Sequence, residues 1–162
     1  MRKNMFEMIV PALAVLLLLA FLIVGCDSSS NRPVIKIEKV WSRPVIISTQ
    51  GDSAPNSGYN GAVYLTIKNS GGVSDRLMKA KTDVCLITEI HESFVKNERM
   101  MMERVDNGIE IPGGGSAELK PGGYHLMLMG VKRSLSEGDS VAVQLKFEKS
   151  GIRTVYAKIK KF

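Results

Sequence analysis

Cysteine and histidine are both scarce in this 162-residue chain, with two of each: Cys26 and Cys85, His91 and His125. Two cysteines exclude the disulfide frameworks that staple small secreted folds. Two histidines, with no nucleophile–base pair beside them, leave little for catalysis, so the chain is not expected to be an enzyme. There is one tryptophan, and aromatic residues make up 6% of the chain. No helix–turn–helix, RNA-binding or zinc-finger spacing occurs, and no nucleic-acid partner is expected. Internal repeats and low-complexity tracts are absent, and past the first twenty-five residues so is any long amphipathic helical pattern.

What is present begins with a leader. Arg2 and Lys3 precede the apolar run "MIVPALAVLLLLAFLIVG", the pattern of a secretory signal over residues 1–25. An uncleaved membrane anchor is the competing reading. Cys26 follows "LIVG" directly, and this context resembles a bacterial lipobox. Cys26 is therefore the expected lipid-attachment site, and "DSSSNRP" completes a short tether over residues 26–33. Such an anchor gives stable membrane attachment through two acyl chains. With Cys26 lipidated, Cys85 has no partner and is expected to be a buried core thiol in "DVCLITEIH". A Cys26–Cys85 disulfide requires the lipobox reading to fail. The net charge is +6, or +5 without the leader, and scattered apart from the tail "KIKKF". It suits a solvated surface beside anionic lipid.

Residues 34–162 are enough for one domain. "VAVQLKFE" (141–148) alternates, with Val141, Val143, Leu145 and Phe147 on one side. "AVYLTIKN" (62–69) does the same through Val63, Leu65 and Ile67; "VIKIEKVW" (34–41) and "IRTVYAKI" (152–159) are further strands. "NSGG", "DNG", "PGGG", "KPGG" and "SEGD" punctuate them as turns. The expected class is all-β, a sandwich or barrel. The stretch 48–61 is expected to be a surface loop.

The chemistry lies between residues 91 and 129. Both histidines fall there, with Met100, Met101 and Met102 in one cluster and Met127 and Met129 in another. Side chains alternate along a strand. In "GGYHLMLMG" (122–130), Leu126 and Leu128 then form a core face, and His125, Met127 and Met129 form the other. His125 and Met127 stand about 6.6 Å apart along such a strand. If "RMMMER" is extended, Met100 and Met102 share a face and Met101 opposes them. Imidazole with thioether is a soft-to-intermediate donor set that favours Cu(I), with Ag(I) as a mimic. Structural zinc prefers thiolate and imidazole, and hard ions prefer oxygen. Cys85 lies six residues before His91, about 20 Å along a strand, too far to complete a blue-copper centre.

"EIHE" (89–92), then the methionines, then "GIEIPGGGSAELKPGGYHLMLMG" (108–130) closely resemble the PCuAC family of periplasmic copper chaperones. The likeness continues through "LSEGDSVAVQLKFEKSG" (135–151), "AVYLTIKNSGGVSDRL" (62–77) and "VWSRP", covering nearly all of residues 34–162. It implies a cupredoxin-like (Ig-like) β-sandwich. The family pattern is a histidine, ten residues, a methionine, about twenty-one residues, then His-x-Met. Carried onto this chain, it implies His91, Met102, His125 and Met127 as Cu(I) ligands, with twenty-two residues between Met102 and His125. That extra residue leaves Met101 as a rival to Met102. Ser93 stands where many members have another methionine.

The implied role is an extracytoplasmic Cu(I) chaperone that delivers copper by ligand exchange for the Cu_A site of cytochrome c oxidase. The implied partners are oxidase subunit II or another copper assembly factor, with the membrane reached through the lipid. A lipid-anchored copper buffer and a non-metal β-sandwich interaction module are the alternatives. Only a metal-binding protein gains stability when copper is added.

Overall fold

The computed structural model describes residues 31–47 and 58–161. The leader, Cys26 and most of the 48–61 loop lie outside the described residues. Ten strands follow in chain order: β1 Ile35–Ser42, β2 Gly61–Asn69, β3 Asp75–Lys81, β4 Cys85–Lys96, β5 Arg99–Arg104, β6 Ile109–Ile111, β7 Ser116–Leu119, β8 Tyr124–Val131, β9 Ser140–Phe147 and β10 Ile152–Ile159. No helix occurs among the described residues. The four segments named above as strands are β1, β2, β9 and β10, each within one residue at either end.

The strands hydrogen-bond in the order β5-β4-β8-β2-β1-β10-β9-β3-β6, with β7 also on β2. The sheet does not close. It folds over one core, to which Val63, Leu65, Ile67, Leu126 and Leu128 contribute from one half. Leu77, Val141, Val143, Leu145 and Phe147 contribute from the other. All ten are fully or almost fully buried, as alternation requires when one face of each strand meets the core. Cys85 is free and buried. It accompanies His91 on the same continuous strand, so the two stay apart.

Three local devices shape the region of interest. The first is a one-residue bulge in β1: Glu38 opposes Thr66, yet Trp41 opposes Tyr64, and Lys39 takes φ 52°. The extra residue turns Trp41 onto the Tyr64 side. The second is the β4–β5 hairpin. Lys96 pairs with Arg99, so Asn97 and Glu98 alone make the turn, at φ 50° and 62°. Two-residue hairpin turns of the primed type need such backbone. The third is the 120–123 turn, where Gly122 has φ 77° and open space at its missing Cβ. Glycine is there for the backbone, not for clearance.

Buried polar groups at the other end of β1 are satisfied. Asn69 accepts from the Val34 and Gly71 N–H groups at 3.0 Å each, and its amide donates to the Val73 carbonyl. Asp75 accepts from the Arg76, Lys149 and Ser150 N–H groups. Burial pushes the Asp75 carboxyl up, but bonds from Ser150, Lys149 and Arg76 outweigh it and hold the group below its ordinary range.

Candidate metal site

β8 is central in its half of the sheet, with β4 on one side and β2 on the other. Its alternation puts Leu126 and Leu128 into the core and His125, Met127 and Met129 on the opposite face. The β4–β8 register sets His91 directly opposite His125 and Glu89 opposite Met127. Residues paired across strands share a face. The rings of His91 and His125 lie 6.0 Å apart between centroids.

The β4–β5 register extends that face. Ser93 opposes Met102 and Val95 opposes Met100, while Met101 opposes Phe94 on the reverse side. Parity therefore separates Met102 and Met100 from Met101. Met102, Ser93, His125 and Met127 line one open cavity of about 310 Å³, walled across by Pro44 and Tyr64. The 43–45 segment is held there because Val45 and Leu135 exchange backbone hydrogen bonds of 3.0 and 2.8 Å. Met129 sits opposite Ile87, outside this cavity.

Each imidazole has one nitrogen engaged. His125 Nδ1 lies 3.0 Å from the Gly123 carbonyl. A carbonyl only accepts, so Nδ1 carries the proton and Nε2 keeps its lone pair. His91 Nε2 lies 2.9 Å from Glu89 Oε2. A carboxylate oxygen accepts, so Nε2–H donates to it, and in the neutral imidazole Nδ1 then holds the lone pair. That Nδ1 is buried and has no hydrogen-bond partner. Buried polar atoms are seldom left in this state without a role. Glu89 is fixed in turn by Arg104, whose Nη1 donates to Oε1 at 3.0 Å while Nε bonds Asp106. Asp106, and then Glu89, raise the Arg104 guanidinium further above its ordinary value.

The residues around the histidines are aromatic. Tyr64 lies 6.4 Å from His125 and 4.4 Å from Trp41, and Lys160 Nζ sits 5.1 Å from the Trp41 centroid. The ladder His91–His125–Tyr64–Trp41 thus crosses four neighbouring strands, with a cation at its end. Sequence reasoning missed Glu89, Tyr64 and Trp41. A carboxylate two residues before a strand histidine shares its face, and "EIHE" carried that signal. Trp41 carried none, because its placement depends on the bulge.

The donor chemistry is narrow. Among the described residues no group of three or more His, Cys, Asp and Glu side chains could hold an ion. The cavity offers the His125 imidazole and the Met102 and Met127 thioethers, and His91, which does not line it, adjoins it through His125; this set suits a soft ion.

Comparison with known proteins gives three kinds of match. The family described as "Putative lipoprotein LpqE-like" matches residues 35–159. "Putative lipoprotein Lxx21020" of Leifsonia xyli subsp. xyli (strain CTCB07) is 29% identical over 128 residues, covering 79% of this chain and 70% of its own length. The copper-bound PCuAC domain from PmoF2 has a TM-score of 0.59 at 25% identity, over 79% of this chain and 93% of that one. The CuI form of DR1885 from Deinococcus radiodurans has a TM-score of 0.53 at 22% identity, over 84% and 85%. This last likeness concerns the fold alone. The all-β architecture is that of PCuAC domains, a cupredoxin- or Ig-like fold.

Proposed function

We propose, for a chain that belongs to the LpqE-like lipoprotein family, that it is an extracytoplasmic Cu(I) chaperone. Its ligands are His91 Nδ1, His125 Nε2 and the sulfurs of Met102 and Met127. The observation that carries this reading is the orphaned, buried Nδ1 of His91 beside His125. Both rings have their other nitrogen bonded, by Glu89 and by the Gly123 carbonyl. Such partners fix the tautomer and orientation of metal-binding histidines. The copper-bound state of the PmoF2 domain supports the choice of ion.

Transfer follows from the ligand set. Thioethers need lose no proton to bind, so loading does not depend on their titration. Met102 is half exposed on an edge strand, while His125 is only 4% exposed. An acceptor's thiolates displace the outer thioether first, and the histidines let go last. The acceptor we favour is the Cu_A centre of cytochrome c oxidase or a factor that assembles it. Residues 1–25 are read as the leader and residues 26–33 as the tether with its lipid on Cys26. Residues 34–162 are read as the copper-binding domain, held at a membrane outside the cytoplasm.

The test is an anaerobic Cu(I) titration of residues 27–162 against a coloured chelator, beside Met127→Ala. One ion per chain is expected, held roughly tenfold more weakly by the variant. Equal competition by both proteins, or none, overturns the ligand assignment.

A further inference from the structure

A larger cavity, about 720 Å³, lies on the outer side of the β3–β9 pairing. Lys79 and Lys146 stand directly opposite each other there. Like charges in register repel across a sheet. Lys81 lies two residues further along β3, and Lys132 enters just past β8, its Nζ donating to the Asp83 carbonyl at 3.0 Å. Among the described residues none of these four lysines has a carboxylate within ion-pair distance, whereas Lys36, Lys68, Lys120 and Lys161 all do. Among the described residues Asp83 is the single acidic side chain lining the cavity.

The same cavity is edged with oil. Leu86, Ile87 and Ile152 line it and are 60%, 53% and 61% exposed. Ile152 opposes Lys146 on β10, so one row across three strands reads aliphatic, cation, cation. An acidic soluble partner has no need of three bare aliphatic side chains, and an apolar ligand has no need of four lysines. An anionic bilayer uses both. Lysines meet lipid phosphates while aliphatic side chains enter the headgroup boundary.

We propose that this lysine-rich face docks the protein on an anionic membrane surface. The proposal is independent of copper binding. Eight residues separate Cys26 from Ile35, a reach of about 30 Å when extended. A chain anchored at Cys26 can therefore lay this face on its own membrane. Docking leaves the His/Met cluster uncovered: the cavity on this face shares no lining residue with the one that holds Met102, His125 and Met127, and Ile87, its aliphatic residue nearest in sequence to His91, lies about 13 Å from it along β4.

The experiment uses the unlipidated chain from residue 27, which keeps all ten strands. It is sedimented with vesicles of phosphatidylglycerol and phosphatidylcholine in equal parts, and with phosphatidylcholine alone. Binding to the anionic vesicles only, weakening as salt rises, is expected. Lys79→Gln with Lys146→Gln should lower that binding roughly thirtyfold. The melting temperature should hold or rise, because the opposed charges are relieved. Equal sedimentation of both proteins, or equal binding to both vesicle types, overturns the proposal. So does an equal loss in Lys36→Gln with Lys68→Gln, which would make the effect one of net charge. Retention of an acidic protein without vesicle binding would assign the face to a protein partner and also overturn it.

Discussion

β8 and β5 each supply a methionine to the proposed site, and they are opposite kinds of strand. β8 has neighbours on both sides and two fully buried leucines beneath it. β5 is the edge of the sheet, and all six of its residues are exposed. His125 and Met127 are therefore held by the core, while Met102 is held by one hairpin. A carrier must hold an ion without trapping it. Ligands of unequal rigidity do this, since the exposed one can leave first without disturbing the fold. The difference between the strands thus separates retention from release.

That comparison can be broken most sharply in the core. Leu126→Ala should destabilise the fold by about 2–5 kcal/mol in denaturant unfolding. Met101→Ala on β5 should fall within about 0.5 kcal/mol of the parent. Equal losses would end the distinction between the two strands.

Glu89→Gln tests the support beneath His91. Removing such a partner should weaken Cu(I) binding by roughly 10- to 100-fold in chelator competition, with unfolding little changed. Met102→Ala comes next, with an expected loss of about tenfold. The matched Met101→Ala should bind as the parent does, because the register puts Met101 on the far face. A loss at Met101 with none at Met102 would reverse the assigned parity.

The smallest effect concerns the hairpin turn. Glu98 holds a positive φ that glycine adopts without strain. Glu98→Gly should stabilise the protein by about 1 kcal/mol. It should also slow copper transfer to an acceptor, measured by stopped flow, if order in β5 limits release.

The same contrast explains what could be read beforehand. β2, β8 and β9 have one face on the core, and their alternation was plain in the chain. β5 has no core face, so "RMMMER" offered methionines but no period. β6 and β7 have three and four residues and are too short to carry one. The two histidines were visible as a pair of rare residues. Their adjacency was not, since it depends on a cross-strand register thirty-four residues apart in sequence. Met102 and Met101 could be separated only once β4 supplied the register. Glu89 was within reach of sequence reasoning, and Trp41 was not, because a lysine at positive φ leaves no mark in a string of letters.

The parallel pairing of β1 with β10 joins the first described strand to the last. A chain that appears amino end first leaves β1 with one edge bare until β10 follows. Contacts this distant in sequence form slowly. Every member of the His/Met cluster lies before β9 and can be synthesised while the sheet is still open. Closure of β1 onto β10 is therefore a late event, because it waits on the pairing most distant in sequence.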